Sequence, residues 1–248
     1  MSVVLVTGAS RGVGRGLVLA FGHSGWDVVV TARRRADADQ VAREVAATGA
    51  STIGVECDVT VPGAVEGAVG AAVDAFGGLD AFVHNAVATA GADPVDLEHA
   101  SVELWEEQAA VSLRGTWRCA RAAFRPLAER QGALLVLTSP AGVDGSAERS
   151  FYAAVKGGQL AFVRSLAREW APDGVRVNGL APLARTPALE HAFERDPALA
   201  SRMASIVPLG RLGDPETDIG PPAVFLCGEG ARYITGQNLA VSGGRFIA

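Results

Sequence analysis

Seven short apolar runs punctuate the chain: VVLVT at 3–7, DVVVTA at 27–32, STIGVE at 51–56, LDAFVH at 79–84, ALLVLTS at 133–139, VRVNGL at 175–180 and NLAVSG at 238–243. They are rich in β-branched residues and lack the polar gaps of a strand with one wet face. Such runs predict strands buried on both sides, as in a parallel sheet. Longer alanine-rich stretches with helical spacing lie between them, such as ADADQVAREVAAT and AVEGAVGAAVDAFG. Strand and helix alternating over the whole chain predict an α/β fold, a doubly wound parallel sheet of about seven strands with helices on both faces. No linker, repeat or low-complexity run interrupts the alternation, so a single domain is expected over 1–248.

The segment 183–214, LARTPALEHAFERDPALASRMASIVPLGRLGD, breaks the rhythm. It carries prolines at 187, 197 and 208 and no strand run. Two short helices on a long excursion suit either a substrate lid over the carboxyl edge of the sheet or a plain surface helix pair.

Composition narrows the classes. A chain of 248 residues buries roughly 70–75% of its unfolded surface and needs no staples. Cys57, Cys119 and Cys227 are far apart and read as buried thiols in a reducing compartment. A formal net charge of −5, with arginines interleaved among acids, argues against a nucleic-acid partner. The opening MSVVLVTGAS lacks a basic leader, and no apolar stretch approaches the roughly 20 residues that span a bilayer, so a soluble, cytoplasmic protein is expected. The four histidines, His23, His84, His99 and His191, lack metal-ligand spacing and read as structural or surface groups. No metal site is expected.

Candidate chemistry begins where the first strand runs into TGASRGVG. That loop places Gly8, Gly12 and Gly14 at the start of a predicted helix. Glycine there permits a tight turn and a close approach to a pyrophosphate, whose charge a helix N-terminus favours. At the end of the second strand a site for NAD usually offers an acid to the ribose 2′-hydroxyl. Here Ala32 is followed by Arg33, Arg34 and Arg35, while Arg11 sits in the glycine loop. Arg33 with Arg11 suits a 2′-phosphate and hence NADPH; Arg34 and Arg35 also fit as solvated charges at a helix start. In CDVT, Asp58 either accepts a bond from an adenine amine or caps the next helix.

The stretch SFYAAVKGG holds Lys156, the one lysine of a chain that otherwise uses arginine, four residues after Tyr152, one of two tyrosines. That spacing puts both side chains on one helix face. A cation near 4 Å at an effective dielectric of about 20 interacts by roughly 4 kcal/mol. The effect amounts to about three pKa units, enough to bring a phenol toward neutrality and make it a proton donor. A snorkelling surface pair is the plainer alternative.

Taken together, TGASRGVG, HNA, Ser139 thirteen residues before Tyr152, YAAVK and YITGQNLAVSGG resemble the short-chain dehydrogenase/reductase family, in order and at its spacings, from residue 3 to the C-terminus. The resemblance implies a Rossmann-type fold and hydride transfer between NADP(H) and a carbonyl or alcohol carbon. It assigns Ser139 to the substrate carbonyl, Tyr152 to proton donation, and Lys156 to the nicotinamide ribose and the tuning of Tyr152. It adds cofactor contacts from Ser10, Val13, Val59, Asn85, Ala86, Pro182 and Thr186, and substrate contacts from 87–97, 140–150 and the lid. It also implies a homodimer or homotetramer built on helices around 101–130 and 151–171.

Several positions depart from the pattern. Ser112 stands where the family places the asparagine that completes its catalytic set; its hydroxyl still donates and accepts, so a working but weakened proton relay is expected. Val87 and Leu183 replace glycines, Thr186 arrives one residue early, and Ser242 replaces an aspartate. A carbonyl reductase or alcohol dehydrogenase is the leading expectation, with a 3-oxoacyl reductase as a narrower variant. Arg130 fits the docking face of such a reductase, whereas Asp173 does not. A redox-silent NADP(H)-binding sensor or scaffold of the same fold is the rival.

Overall fold

A computed structural model describes residues 1–88 and 94–247, so part of the 87–97 segment expected to touch substrate (89–93) lies outside the described residues. The strands are β1 (Val3–Val6), β2 (Asp27–Ala32), β3 (Thr52–Glu56), β4 (Ala81–His84), β5 (Ala133–Leu137), β6 (Arg176–Pro182) and β7 (Asn238–Val241). They form one sheet in the order β3-β2-β1-β4-β5-β6-β7, every neighbouring pair parallel. Six of the apolar runs of the sequence contain a strand, and the run at 175–180 covers all of β6 but its last two residues, Ala181 and Pro182.

Successive side chains of a strand point to opposite faces, and β1 shows the consequence. Val4 and Val6 join one apolar cluster, with Leu17, Val18 and Phe21 of α1 (Gly12–His23), Val41 and Val45 of α2 (Arg35–Ala46), and Leu226. Val3 and Leu5 join the other, with Val65 and Ala68 of α3 (Ala64–Phe76) and with Leu127 and Val163. Two cores, one on each side of the sheet, explain why β1, β2, β4 and β5 are apolar at consecutive positions. β7 departs from that expectation. It pairs only with β6, and Leu239 is 40% exposed, because an edge strand has a neighbour on one side alone.

The helical stretch after β4 is not uniform. α4 (Val102–Gln108) passes through a π-helical turn (Ala109–Arg114) into α5 (Gly115–Arg130). A widened turn of this kind re-aims the backbone carbonyls within it. The short α6 (Ala141–Asp144) follows β5 and packs on α7 (Ser150–Glu169).

The excursion after β6 does hold two helices, α8 (Pro187–Arg195) and α9 (Pro197–Ser205). Each starts at a proline, where the missing N–H costs nothing, behind a capping side chain. Thr186 accepts from Leu189 N and Asp196 from Ala198 N. Phe193, Val207 and Leu212 form a small core of its own, joined by Leu183 and Met203. Its two ends are stitched by a parallel bridge between Ala184 and Gly213. A final helix, α10 (Gly220–Cys227), covers the first core.

Candidate active site

Strand order reverses between β1 and β4, which opens a crevice at their carboxyl ends. The glycine loop lies there and is held from both sides. Asn85, just past β4, donates from Nδ2 to the carbonyls of Thr7 (2.9 Å) and Gly8 (3.0 Å). Thr7 Oγ1 accepts from the N–H groups of Asn85 (3.0 Å) and Ala86 (3.1 Å). The Asn85 side chain is therefore spent on shaping the loop. A Cβ at Gly8 would come within 2.9 Å of Ala86 Cα, and one at Gly14 within 2.5 Å of Asn85 Nδ2. Glycine at both positions is a packing requirement, and Gly8 also has φ +65°, where side chains are strained. The start of α8 closes the far side: Pro187 and Thr186 are the atoms nearest a Cβ built on Gly12.

Beside the loop, Ser10, Arg11, Arg15, Arg33 and Arg34 line a cleft of about 570 Å³. Its cations are not equivalent. Arg34 is clamped by Asp37, Arg15 by Glu44 and Arg35 by Asp39. Arg11 and Arg33 make no ion pair among the described residues, and both are exposed. Two uncommitted guanidinium groups beside a glycine cradle at a helix N-terminus could hold the phosphates of a nicotinamide cofactor.

Asp58 does not cap α3, whose N-cap is Gly63. One of its oxygens accepts from Thr60 N (2.8 Å) and Thr60 Oγ1 (2.7 Å), which pins the turn after β3. Val59 is buried, and its carbonyl is held by Arg118 Nη1 at 3.0 Å.

Across the crevice, Ser139 follows β5, and Tyr152 and Lys156 lie one turn apart on α7. Ser139 Oγ accepts from Ala141 N at 3.2 Å. Burial raises the Tyr152 pKa above its ordinary value, with the Ser139 hydroxyl and Arg149 pulling the other way. Lys156 is not among the causes of that shift, and its hydrogen bonds run elsewhere. Lys156 Nζ donates to the Leu137 carbonyl (2.7 Å) and to Gln159 Oε1 (2.8 Å), and it sits 5.7 Å from the centroid of the Tyr152 ring. Burial lowers its own pKa to about 7.

Ser112 is fully buried within the π-helical turn, yet its hydroxyl finds no protein partner among the described residues. Its carbonyl is the active group: it accepts from Thr116 Oγ1 (2.5 Å) and Gln159 Nε2 (3.2 Å). Gln159 was not among the residues singled out in the sequence. The signal was a polar side chain at an inward position of a helix, three residues past the lysine. His84 is a structural residue beneath the loop, with Nδ1 placed 3.2 Å from Thr7 Oγ1 and its pKa lowered by burial to about 3. All three cysteines are buried and unpaired.

Pro182 closes β6, Leu183 enters the small core of the excursion, and Thr186 caps α8 against the glycine loop. Arg130 is exposed and donates to the Gly77 carbonyl at the end of α3 at 2.7 Å.

The profile of a family described as Enoyl-(Acyl carrier protein) reductase matches residues 8–245. The chain is 36% identical over 255 residues to L-rhamnose 1-dehydrogenase (NAD(P)(+)) of Azotobacter vinelandii, covering 98% of this chain and 96% of that one. It is 33% identical over 245 residues to the 3-oxoacyl-(acyl-carrier-protein) reductase FabG of Staphylococcus aureus, covering 98% and 97%. A crystal structure of a candidate short-chain alcohol dehydrogenase from Sinorhizobium meliloti superposes with a TM-score of 0.90 at 35% identity, covering 98% and 96%. With the crevice at the strand reversal, the glycine loop and the Ser139, Tyr152 and Lys156 cluster in place, these matches put the chain in the short-chain dehydrogenase/reductase family of oxidoreductases.

Proposed function

We propose that this protein is an NADP-dependent oxidoreductase that reduces a ketone to a secondary alcohol, or runs the reverse reaction, with Tyr152 as the proton donor. The observation that carries the reading is the pairing across one crevice of two uncommitted cations, Arg11 and Arg33, with the cluster of Ser139, Tyr152 and Lys156. The first pair suits a 2′-phosphate; the second group suits a carbonyl that must be polarised and protonated. Gly8, Gly12 and Gly14, with Ser10 and Val13, cradle the pyrophosphate side, and Asp58, Val59, Asn85, Ala86, Pro182 and Thr186 border the rest of the cofactor.

The bound cofactor supplies the hydride. The protein's own work is positioning and proton transfer. Ser139 Oγ donates to the substrate oxygen, which orients it and draws charge toward it. The phenol of Tyr152 gives its proton to that oxygen as negative charge develops there. Because burial favours the neutral phenol, the group is held in the donating form at neutral pH. Lys156 lies beneath it with a third N–H left over from its two bonds to the protein.

Val87 (47% exposed) and Val143 (65% exposed) near the site, with the apolar core of the excursion, favour a small to medium apolar ketone. The excursion acts as the substrate lid, because α8 starts against the glycine loop. The exposed apolar side chains Val102 of α4 and Trp117 of α5 support assembly through the helices around 101–130 and 151–171 into a homodimer or homotetramer. No helix among the described residues is long and apolar enough to cross a membrane, and we place the protein in the cytoplasm.

The test is a screen of ketones, diketones and secondary alcohols with NADPH and NADH as alternative coenzymes. Turnover of at least one substrate with NADPH supports the reading. Tight NADPH binding without turnover of any carbonyl would favour a redox-silent sensor or scaffold.

A further inference from the structure

Beneath the crevice lies a buried polar cluster whose members come from two helices. Lys156 and Gln159 of α7 are 4% and 0% exposed; Ser112 of the π-helical turn and Thr116 of α5 are 0% and 1% exposed. The hydrogen bonds fix the direction of every group. Thr116 Oγ1 donates to the Ser112 carbonyl, so its lone pairs face Gln159 Nε2 at 2.9 Å. The same amide nitrogen donates to the Ser112 carbonyl at 3.2 Å. Its oxygen must then face the lysine, whose ammonium donates to it at 2.8 Å. Reversing the amide would set NH₂ against the ammonium and oxygen against a carbonyl, so only one orientation is satisfied.

We propose that Gln159 is a positioning residue for the proposed reaction: it ties the Lys156 head to the π-helical turn and keeps it on the floor of the site, one N–H free toward the crevice. The proposal rests on Lys156 belonging to the reacting site. Arranged in this way, the Leu137 carbonyl and the Gln159 amide take two of the lysine's three donors. The remaining donor is left for a hydroxyl in the crevice above. An amide has no proton to exchange in this range, so Gln159 itself carries no proton traffic. The charge state of the lysine depends on which acceptor position 159 supplies. A carboxylate there favours the ammonium, whereas an apolar side chain leaves it with the Leu137 carbonyl alone.

Other groups around the lysine leave this dependence on Gln159 in place. His84 from β4 opposes the ammonium, but it is held neutral by burial. Tyr152 is the titratable neighbour on α7 itself and is also neutral near pH 7. Asp144 of α6 and Arg114 of the π-helical turn are exposed, and Glu103, Glu106 and Glu107 of α4 are not buried. From β6, α7 meets no ionisable side chain in the buried stretch from Val177 to Ala181.

Because Lys156 is the one lysine in the chain, it can be read directly. The full-length protein grown with lysine labelled at the ε-carbon gives one side-chain resonance, titrated for the parent and for Gln159→Leu, Gln159→Glu and Thr116→Val. The parent midpoint is expected near 7. Gln159→Glu should raise it by at least about one pH unit, a tenfold change in proton affinity, and Gln159→Leu should lower it. Thr116→Val frees the amide without touching the lysine's own bonds, and should move the midpoint in the Leu direction by less. If a Gln159 variant does not fold, this milder variant still decides the matter. A parent midpoint at the ordinary lysine value, or midpoints that coincide across the folded variants, would overturn the proposal. Should Tyr152→Phe keep its rate while these midpoints move, the proposed function fails and the anchoring stands.

Discussion

Arg34 and Asp37 form a bidentate pair, Nε to Oδ2 at 2.7 Å and Nη2 to Oδ1 at 2.8 Å. One turn of α2 thus neutralises the second arginine of the run RRR, and Asp39 takes the third. The first, Arg33, is left to meet a ligand together with Arg11. NADPH should therefore bind at least about tenfold tighter than NADH, since a charge-assisted contact is worth more than ~1.4 kcal/mol. Arg33→Asp should invert the preference and Arg34→Ala should leave it nearly unchanged. Coenzyme titration by fluorescence checks both; equal affinities in the parent would remove the phosphate site from the account.

The glycine loop makes a steric prediction. A methyl at position 14 meets the Asn85 amide nitrogen at 2.5 Å and, closer still, the Gly8 carbonyl. Gly14→Ala should therefore break the bonds from Asn85 to the loop. We expect a loss of about 1–3 kcal/mol in stability, typical of overpacking, and a weakening of NADPH binding well beyond that of Arg33→Ala. Chemical denaturation and coenzyme titration of the two variants make the comparison.

Much of this was legible in the sequence, and the reasons are physical. A strand covered on both faces must be apolar at consecutive positions, so the runs at 3–7 and 133–139 announced themselves. The helices of the excursion were legible because Pro187 and Pro197 punctuate a stretch with no strand run, and proline is well tolerated in a helix's first turn. Edge position was not legible: β7 carries the same residue types as its buried neighbours. The helical repeat put Tyr152 and Lys156 on one face, but a four-carbon stem can bend, and the ammonium went to the Leu137 carbonyl and Gln159. Partners that come from distant segments leave no local trace. That is why the roles of Gln159, Asn85 and Arg130 emerged only in three dimensions.

Stability should depend on pH in a defined sense. The folded-state pKa of Lys156 is about 7, below the ordinary 10.5, so between those values the unfolded chain binds more protons and stability rises with pH. His84 acts with the same sign at lower pH, between about 3 and 6.5. Cys57 and Cys227 are raised from 9.0 to about 12, so above pH 9 the unfolded chain loses protons first and stability falls. The melting temperature should climb from pH 7 to 9 and drop beyond it. Lys156→Met should flatten the climb; a parent that loses stability from pH 7 to 9 would contradict the assignment.

Ser112 offers a contrast between a side chain and its backbone. Its hydroxyl has no protein partner among the described residues, whereas its carbonyl holds Thr116 and Gln159. A relay through the hydroxyl, expected from the sequence, predicts a several-fold slower Ser112→Ala. Because its protein hydrogen bonds are made by the carbonyl, Ser112→Ala should stay within about 0.5 kcal/mol of the parent in stability, and a turnover within about twofold would take the hydroxyl out of the relay. Steady-state rates on one accepted ketone distinguish the two.

In the proposed reaction, Tyr152 delivers the proton to the substrate oxygen. That step is tested most directly by the turnover of Tyr152→Phe on a ketone the parent accepts, measured beside its NADPH affinity. Phenylalanine keeps the ring packed on α7 and removes only the donating hydroxyl. The account predicts a fall in turnover of at least about a thousandfold, ~4 kcal/mol of lost transition-state stabilisation, with NADPH affinity within about threefold of the parent. A Phe variant that retained most of the parent's rate would contradict it.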